Sequence, residues 1–185
     1  MKMDLTNAEL AAKTLLGWEL RHITDQGVVS GYIVETEAYC QNDAASHSFN
    51  GPRQRNAPMF RQAGTIYVYL TYGMHYCLNI VTGPIGSGQA ALIRALQPIE
   101  GIDIMMQNRH NLPKNLTNGP AKLTQALKIG KNSNGLNVFD QGCPIKLIPG
   151  FTPKAIVQTT RIGISKEQTA LRRFYIKDNP WVSVK

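Results

Sequence analysis

The chain has 185 residues, 43% of them apolar and 17% charged, with a formal net charge of +8 and a pI of about 9.5. That length suits one domain spanning 1–185 with a full-sized core, and a mean hydropathy of −0.21 with no long apolar run excludes a helical membrane span. Three widely spaced cysteines, Cys40, Cys77 and Cys143, exclude a disulfide framework, and without any CxxC spacing a structural zinc is not expected.

The opening MKMDLTNAEL has no apolar signal core, so a cytoplasmic location is expected, nucleoid-associated if the cell is bacterial. Thr6-Asn7-Ala8-Glu9 reads as a capping box that opens a helix over 7–16, stopped at Gly17. Strands follow at 18–24 and 28–39 around a turn at Asp25-Gln26-Gly27. Residues 40–63 are polar, basic and rich in Asn, Ser, Gly and Pro, which predicts a long functional loop carrying Arg53, Arg55 and Arg61. Next, Thr65–Ile80 reads as two β-branched and aromatic runs meeting at Tyr72-Gly73-Met74-His75, a hairpin whose Gly73 supplies the positive φ of a tight reversal.

After a glycine-rich turn at Gly83–Gly88, a strand at 89–96 should end at Pro98. Ile99, Ile102, Met105 and Met106 suit a short amphipathic helix reaching Arg109. Asn118-Gly119-Pro120 starts another helix with its body at Ala121–Leu127. Strands at 143–148, 154–164 and 172–178 complete the chain, with no repeat or linker. Strands in succession with helices between the groups predict an α+β fold, a curved antiparallel sheet with flanking helices and a protruding hairpin.

The period of two puts Tyr67, Tyr69 and Thr71 on one face of the first hairpin strand and Val68, Leu70 and Tyr72 on the other. Tyr72 at the tip is either an exposed turn aromatic, the ordinary fate of such a residue, or a wedge on a rigid arm. In Ile33–Tyr39, Val34, Thr36 and Ala38 share one face, and Ile33, Glu35, Glu37 and Tyr39 the other. Two glutamates on a strand are commonly a solvated, salt-bridged face; the alternative is a carboxylate at a pocket floor, able to act as general base for a water. Arg94 interrupts the apolar run 90–96 and needs a carboxylate partner, which Glu35 or Glu37 could supply. His47 stands alone in the long loop, and Asn79 lies among Leu78, Ile80 and Val81. A basic excess usually implies a polyanion, and nucleic acid is the commonest.

Several stretches together resemble one family, in order and over about residues 8–184. They are IVETEAY at 33–39, AASHS at 44–48, MF at 59–60, GTIYVYLTYGMHYCLNI at 64–80, ALIRALQP at 91–98, NGPAKLTQAL at 118–127 and RFYIKDNPWVSV at 173–184. They are similar to the alkyladenine (3-methyladenine, or methylpurine) DNA glycosylases. The resemblance implies a base-excision repair enzyme that flips a damaged purine from double-stranded DNA and hydrolyses its glycosidic bond, leaving an abasic site. It implies a monomer needing no cofactor, metal or membrane. In the carried-over roles Glu37 activates the attacking water, and Arg94 holds that water and the carboxylate. Tyr39, His47 and Tyr69 enclose the base, and Asn79 crowds guanine's exocyclic amine. Tyr72 enters the minor groove, while Lys122 touches a phosphate. Arg53 and Arg55, with Arg172 and Arg173, are expected near phosphates of the DNA backbone. The segment between Tyr39 and His47 is slightly shorter than the family pattern.

A rival reading is a damaged-DNA-binding module without chemistry, against which the Glu37–Arg94 pairing argues. A zinc-dependent nucleobase deaminase would need H-x-E and P-C-x-x-C, which this sequence lacks.

Overall fold

The computed structural model describes residues 2–110 and 115–184. Its first element, α1 (Ala8–Thr14), is capped by Asn7, whose Oδ1 accepts from the Leu10 N–H at 2.9 Å. Thr6, expected in the capping box, instead donates its hydroxyl to Asp4. Such a cap is worth about 1 kcal/mol. Ala8, Ala11 and Ala12, with Leu15 and Leu16 just beyond the helix, are fully buried, each leucine contributing about 2 kcal/mol of apolar transfer. Gly17 ends the segment at φ +82°, where an added Cβ would lie 2.0 Å from the Phe151 carbonyl oxygen.

Strands β1 (Glu19–Thr24), β2 (Gly27–Tyr39), β3 (Ile66–Thr71), β4 (His75–Thr82), β5 (Gln89–Glu100), β6 (Ile145–Ile148), β7 (Ile156–Thr159) and β8 (Arg173–Ile176) make one eight-stranded sheet in which every pairing is antiparallel. The path runs β3-β4-β5-β2-β1-β6, and β8 branches from β2 with β7 beyond it. With α2 (Ile102–Asn108) and α3 (Pro120–Ala126) on its flank, and 3-10 turns at Gln54–Phe60 and Lys131–Ser133, the curled sheet is the α+β arrangement expected.

The long strand β2 is the hub. It pairs with β5 along most of its length, while its opposite edge is divided between β1 and β8. Residues Glu35–Glu37 are the part shared by β5 and β8, so each neighbour can bring a side chain against the two glutamates. The register against β5 shifts on both sides of Glu35. That irregularity corrects the face expected for Ile33, which joins Val34 in the main core instead of sharing the glutamates' surroundings.

Pro98 does not end β5, which runs on to Glu100. Beyond Leu92 the β4 edge no longer pairs with β5, so the missing N–H of Pro98 interrupts no ladder on that side. The strand expected over 154–164 stops at Thr159, because the chain then leaves the sheet to give Arg161 and Ile162 to the interior near β2.

Alternation along β3–β5 sorts two environments. Ile66, Val68, Leu78, Ile80, Ala91 and Ile93 enter the main core with α1 and α3. On the opposite face Tyr67, Val81 and Ala90 join Met59 in a smaller cluster, with Tyr69 packed against it. The candidate site is built on that second face.

Candidate active site

The two glutamates of β2 are both fully buried and bound differently. Glu35 accepts from Arg94 Nε (3.1 Å), Arg173 Nε (2.7 Å), and the Ser183 N–H and hydroxyl (2.7 and 2.9 Å). Glu37 Oε1 lies 3.2 Å from Arg94 Nη1 and accepts the Ile162 N–H at 2.9 Å, while its Oε2 accepts, among the described residues, only the Tyr39 hydroxyl, at 2.8 Å. Arg94 therefore meets both carboxylates expected of it. Glu35 takes four donors, three on Oε1 and one on Oε2, whereas Glu37 takes three, two on Oε1 and one on Oε2.

Above this floor opens a cavity of about 550 Å³ lined by Tyr39, His47, Tyr69, Asn79 and Arg94 among others. Such a volume lies in the range of small-ligand sites. Glu37 itself does not line it, but Tyr39, Arg94 and Ile162, the three residues that hold Glu37, do. Despite the shorter connection from Tyr39, His47 reaches the wall: its Nδ1 is 2.9 Å from the Tyr67 hydroxyl and its ring stands edge-on to Tyr69 at 4.5 Å. Asn79 is anchored by donating from Nδ2 to the Tyr67 carbonyl at 3.1 Å.

Burial, then the Glu37 charge and its hydrogen bond, push the Tyr39 phenol far above its ordinary range. Burial lifts Tyr69 as well and moves Tyr67 up to about 12. Burial, helped by the nearby Arg55 charge, holds His47 below its ordinary value. At neutral pH the three wall tyrosines are therefore uncharged, while Arg55, Arg94 and Lys166 also line the cavity. Among the described residues, no group of three or more His, Cys, Asp or Glu is placed to hold a metal ion.

At the hairpin tip Tyr72 is 86% exposed and takes φ +50°, with Gly73 following at +70°. Met74 beside it is also exposed. Tyr72, Thr71 and His75 line the cavity as well, so the tip stands at its mouth.

A family model described as "Methylpurine-DNA glycosylase (MPG)" matches residues 3–180. The chain belongs to the methylpurine-DNA glycosylase family. It is also similar to curated proteins that carry the name "Putative 3-methyladenine DNA glycosylase". One from Francisella tularensis is 51% identical over 179 residues, covering 95% of this chain and 93% of that protein. Another, from Carboxydothermus hydrogenoformans, is 47% identical over 180 residues, with the same coverage of both chains. A third, from Methanoculleus marisnigri, is 45% identical over 176 residues, covering 93% and 91%.

In this methylpurine-DNA glycosylase family member the remaining expected residues lie outside the floor. Arg53 and Arg55 are exposed at the 3-10 turn Gln54–Phe60, and Arg55 also lines the cavity. Lys122 is half-buried in α3, where Nζ donates to Asn118 Oδ1 at 3.0 Å and burial lowers its pKa. The two further arginines expected near phosphates do different work. Arg173 is buried against Glu35, and Arg172 binds Glu9 and Asp43, so neither presents a free guanidinium to a phosphate.

Sequence reasoning missed four members of the site. Tyr67 orients His47, and its place on the face of Tyr69 was a usable signal. Ile162, which donates to Glu37, and the buried pair Asp43–Arg161 beside Tyr39 carried none, since their partners are more than a hundred residues away in sequence. No helix of the described residues is long and apolar enough to cross a membrane.

Proposed function

We propose that this protein is a monofunctional DNA glycosylase of base-excision repair, acting as a single-domain monomer on alkylated or deaminated purines in double-stranded DNA. The observation that carries the reading is the junction of Glu37, Arg94 and Tyr39 at the floor of an aromatic-walled cavity, beneath an exposed hairpin tyrosine.

A base inside a duplex is out of reach of any such floor, so it must be extruded, at a cost of a few kcal/mol. Tyr72 fills the vacated stack from the minor groove and slows the return. Tyr39 faces the extruded purine on one side, with His47 and Tyr69 on the other; each such stack is worth roughly 1–3 kcal/mol. Asn79, held rigid by the Tyr67 carbonyl, crowds a purine bearing an exocyclic amine like that of guanine. Arg53, Arg55 and Lys122 contact phosphates.

In the chemical step the bond from C1′ to the purine nitrogen breaks and its electron pair leaves with the base. An alkylated, cationic purine departs neutral, so the lesion that stacks best also leaves best. The positive charge developing on the sugar is stabilised by the Glu37 carboxylate. A water held by Glu37 and Arg94 adds its oxygen to C1′ and gives its proton to Glu37, leaving an abasic sugar. Support for Glu37 over Glu35 as the base is that Tyr39, Arg94 and Ile162, which hold Glu37, all line the cavity, whereas Arg173 and Ser183, which hold Glu35 with Arg94, do not.

The test is to incubate the protein with duplexes that each carry one lesion (3-methyladenine, 7-methylguanine, hypoxanthine or ethenoadenine) and identify the released base by mass. Free base is the expected product. Tight lesion binding without release from any duplex would favour the non-catalytic damaged-DNA-binding module.

A further inference from the structure

Beside the floor, Asp43 and Arg161 form an ion pair whose side chains are both completely buried. Arg161 Nη2 donates to Asp43 Oδ1 at 3.0 Å, and Nη1 donates to Asp43 Oδ2 and to the Ala38 carbonyl, the latter at 3.1 Å. The guanidinium also lies over the Tyr39 ring, 4.6 Å from its centroid. Tyr39 lines the cavity and Arg161 does not, so the arginine backs the ring from the side away from an incoming base.

Three details tie this pair to the site rather than to the fold alone. Asp43 opens the turn that delivers His47: its Oδ1 accepts the Ala45 N–H at 2.9 Å and its carbonyl the Ser46 N–H at 2.8 Å. Arg161 precedes Ile162, whose N–H is bound to Glu37. Finally, Arg161 Nε has no acceptor among the described residues. A buried guanidinium optimised for hydrogen bonding would not leave a donor unpaired; contact with the flat face of Tyr39 accounts for its placement.

Resting on the glycosylase reading above, we propose that Asp43 and Arg161 are positioning residues that preset the plane of Tyr39 for the extruded base. A tyrosine held at one end by its hydroxyl bond to Glu37 can still swing its ring. A forked guanidinium, pinned by a carboxylate and by the carbonyl preceding Tyr39, removes that freedom before the base arrives. The same pair joins the His47 turn, the Tyr39 wall and the Ile162 donor, so the two sides of the base slot are set by one contact. Stacking then needs no ordering of the slot at the moment of binding.

The test uses Arg161→Lys and the double variant Asp43→Asn/Arg161→Met. Lysine keeps the charge and loses the planar fork. The double variant removes both buried charges while keeping the volume and the acceptor for the Ala45 N–H, and Arg172, which loses Asp43, keeps its ion pair with Glu9, so most of the stability lost by breaking the pair is recovered. Thermal melting and single-turnover excision are measured for each, with the lesion in a paired duplex and in an unpaired bubble. The expected result is a double variant that melts near the wild type yet excises more slowly on both substrates by about tenfold or more, the scale of one lost base stack. Recovery of melting and excision together would overturn the proposal and leave the pair a purely structural one. A wild type that releases no base from any lesion duplex would overturn the glycosylase reading and this role with it.

Discussion

Glu35 and Glu37 hold one guanidinium between them, with Arg94 Nε 3.1 Å from Glu35 Oε1 and Arg94 Nη1 3.2 Å from Glu37 Oε1. The two carboxylates stand two residues apart on β2, yet only Glu35 also binds Arg173 and Ser183. Glu35 thus ties β5, β8 and the C-terminal segment to the hub strand. Glu35→Gln leaves two buried arginines short of charge, and should cost about 3 kcal/mol or more. That is a fall in Tm on the order of 10 °C for a chain of this size. At temperatures where the variant is folded it should still excise lesions. Calorimetry with an excision assay at low temperature checks both halves, and an unchanged Tm would show that Glu35 is not the structural partner.

The product should be an unbroken strand carrying an abasic site. Of the cavity's lining residues Lys166 is a lysine, but it is exposed, whereas Glu37 and Arg94 are buried. Among the described residues no buried amine lines the cavity to form a Schiff base. Treatment with borohydride during turnover should trap no covalent protein–DNA adduct, and the strand should break only after alkali or an abasic endonuclease. A trapped adduct that disappears in Lys166→Ala would replace water by that amine.

Binding should weaken with salt, log K falling linearly with log salt by about 0.9 for each phosphate neutralised. Lys122→Ala should lower that slope by about one such unit and weaken lesion and undamaged duplexes alike. The same holds for Arg53→Ala. An effect of Lys122→Ala confined to lesion DNA would move Lys122 from the backbone to the base slot.

Tyr72 stands at 86% exposure, so Tyr72→Ala should leave thermal stability unchanged. Its excision rate should fall strongly on a paired duplex and much less on the same lesion in a small bubble, where unstacking and unpairing have already been met. Tyr39→Ala should lose rate on both. Equal losses for Tyr72→Ala on the two substrates, under single-turnover conditions, would mean that Tyr72 acts in the slot rather than as a wedge.

What could be read in the sequence was local. The period of two placed Tyr67 and Tyr69 together, the Tyr-Gly pair marked the hairpin tip, and an arginine in an apolar strand demanded the buried carboxylates it has. Where local pattern met a tertiary event it failed. The register shift beside Glu35 sent Ile33 to the other side, and Pro98 stayed in its strand because its neighbour there was absent. Arg173 looked like one more surface cation in a basic chain, but its partner Glu35 lies 138 residues earlier. Asp43 and Arg161 are 118 residues apart, and nothing in the composition of either loop points to the other.

The most direct test of the account is single-turnover excision by Glu37→Gln, measured beside its binding to the same lesion duplex. Glutamine fits the space, its amide oxygen still accepting from the Ile162 N–H and Arg94 and its NH2 donating to the Tyr39 hydroxyl oxygen, but it cannot take a proton from water. The predicted result is lesion DNA bound as tightly as by the wild type, with no base released above the uncatalysed background. Release of base by Glu37→Gln at the wild-type rate would contradict the account.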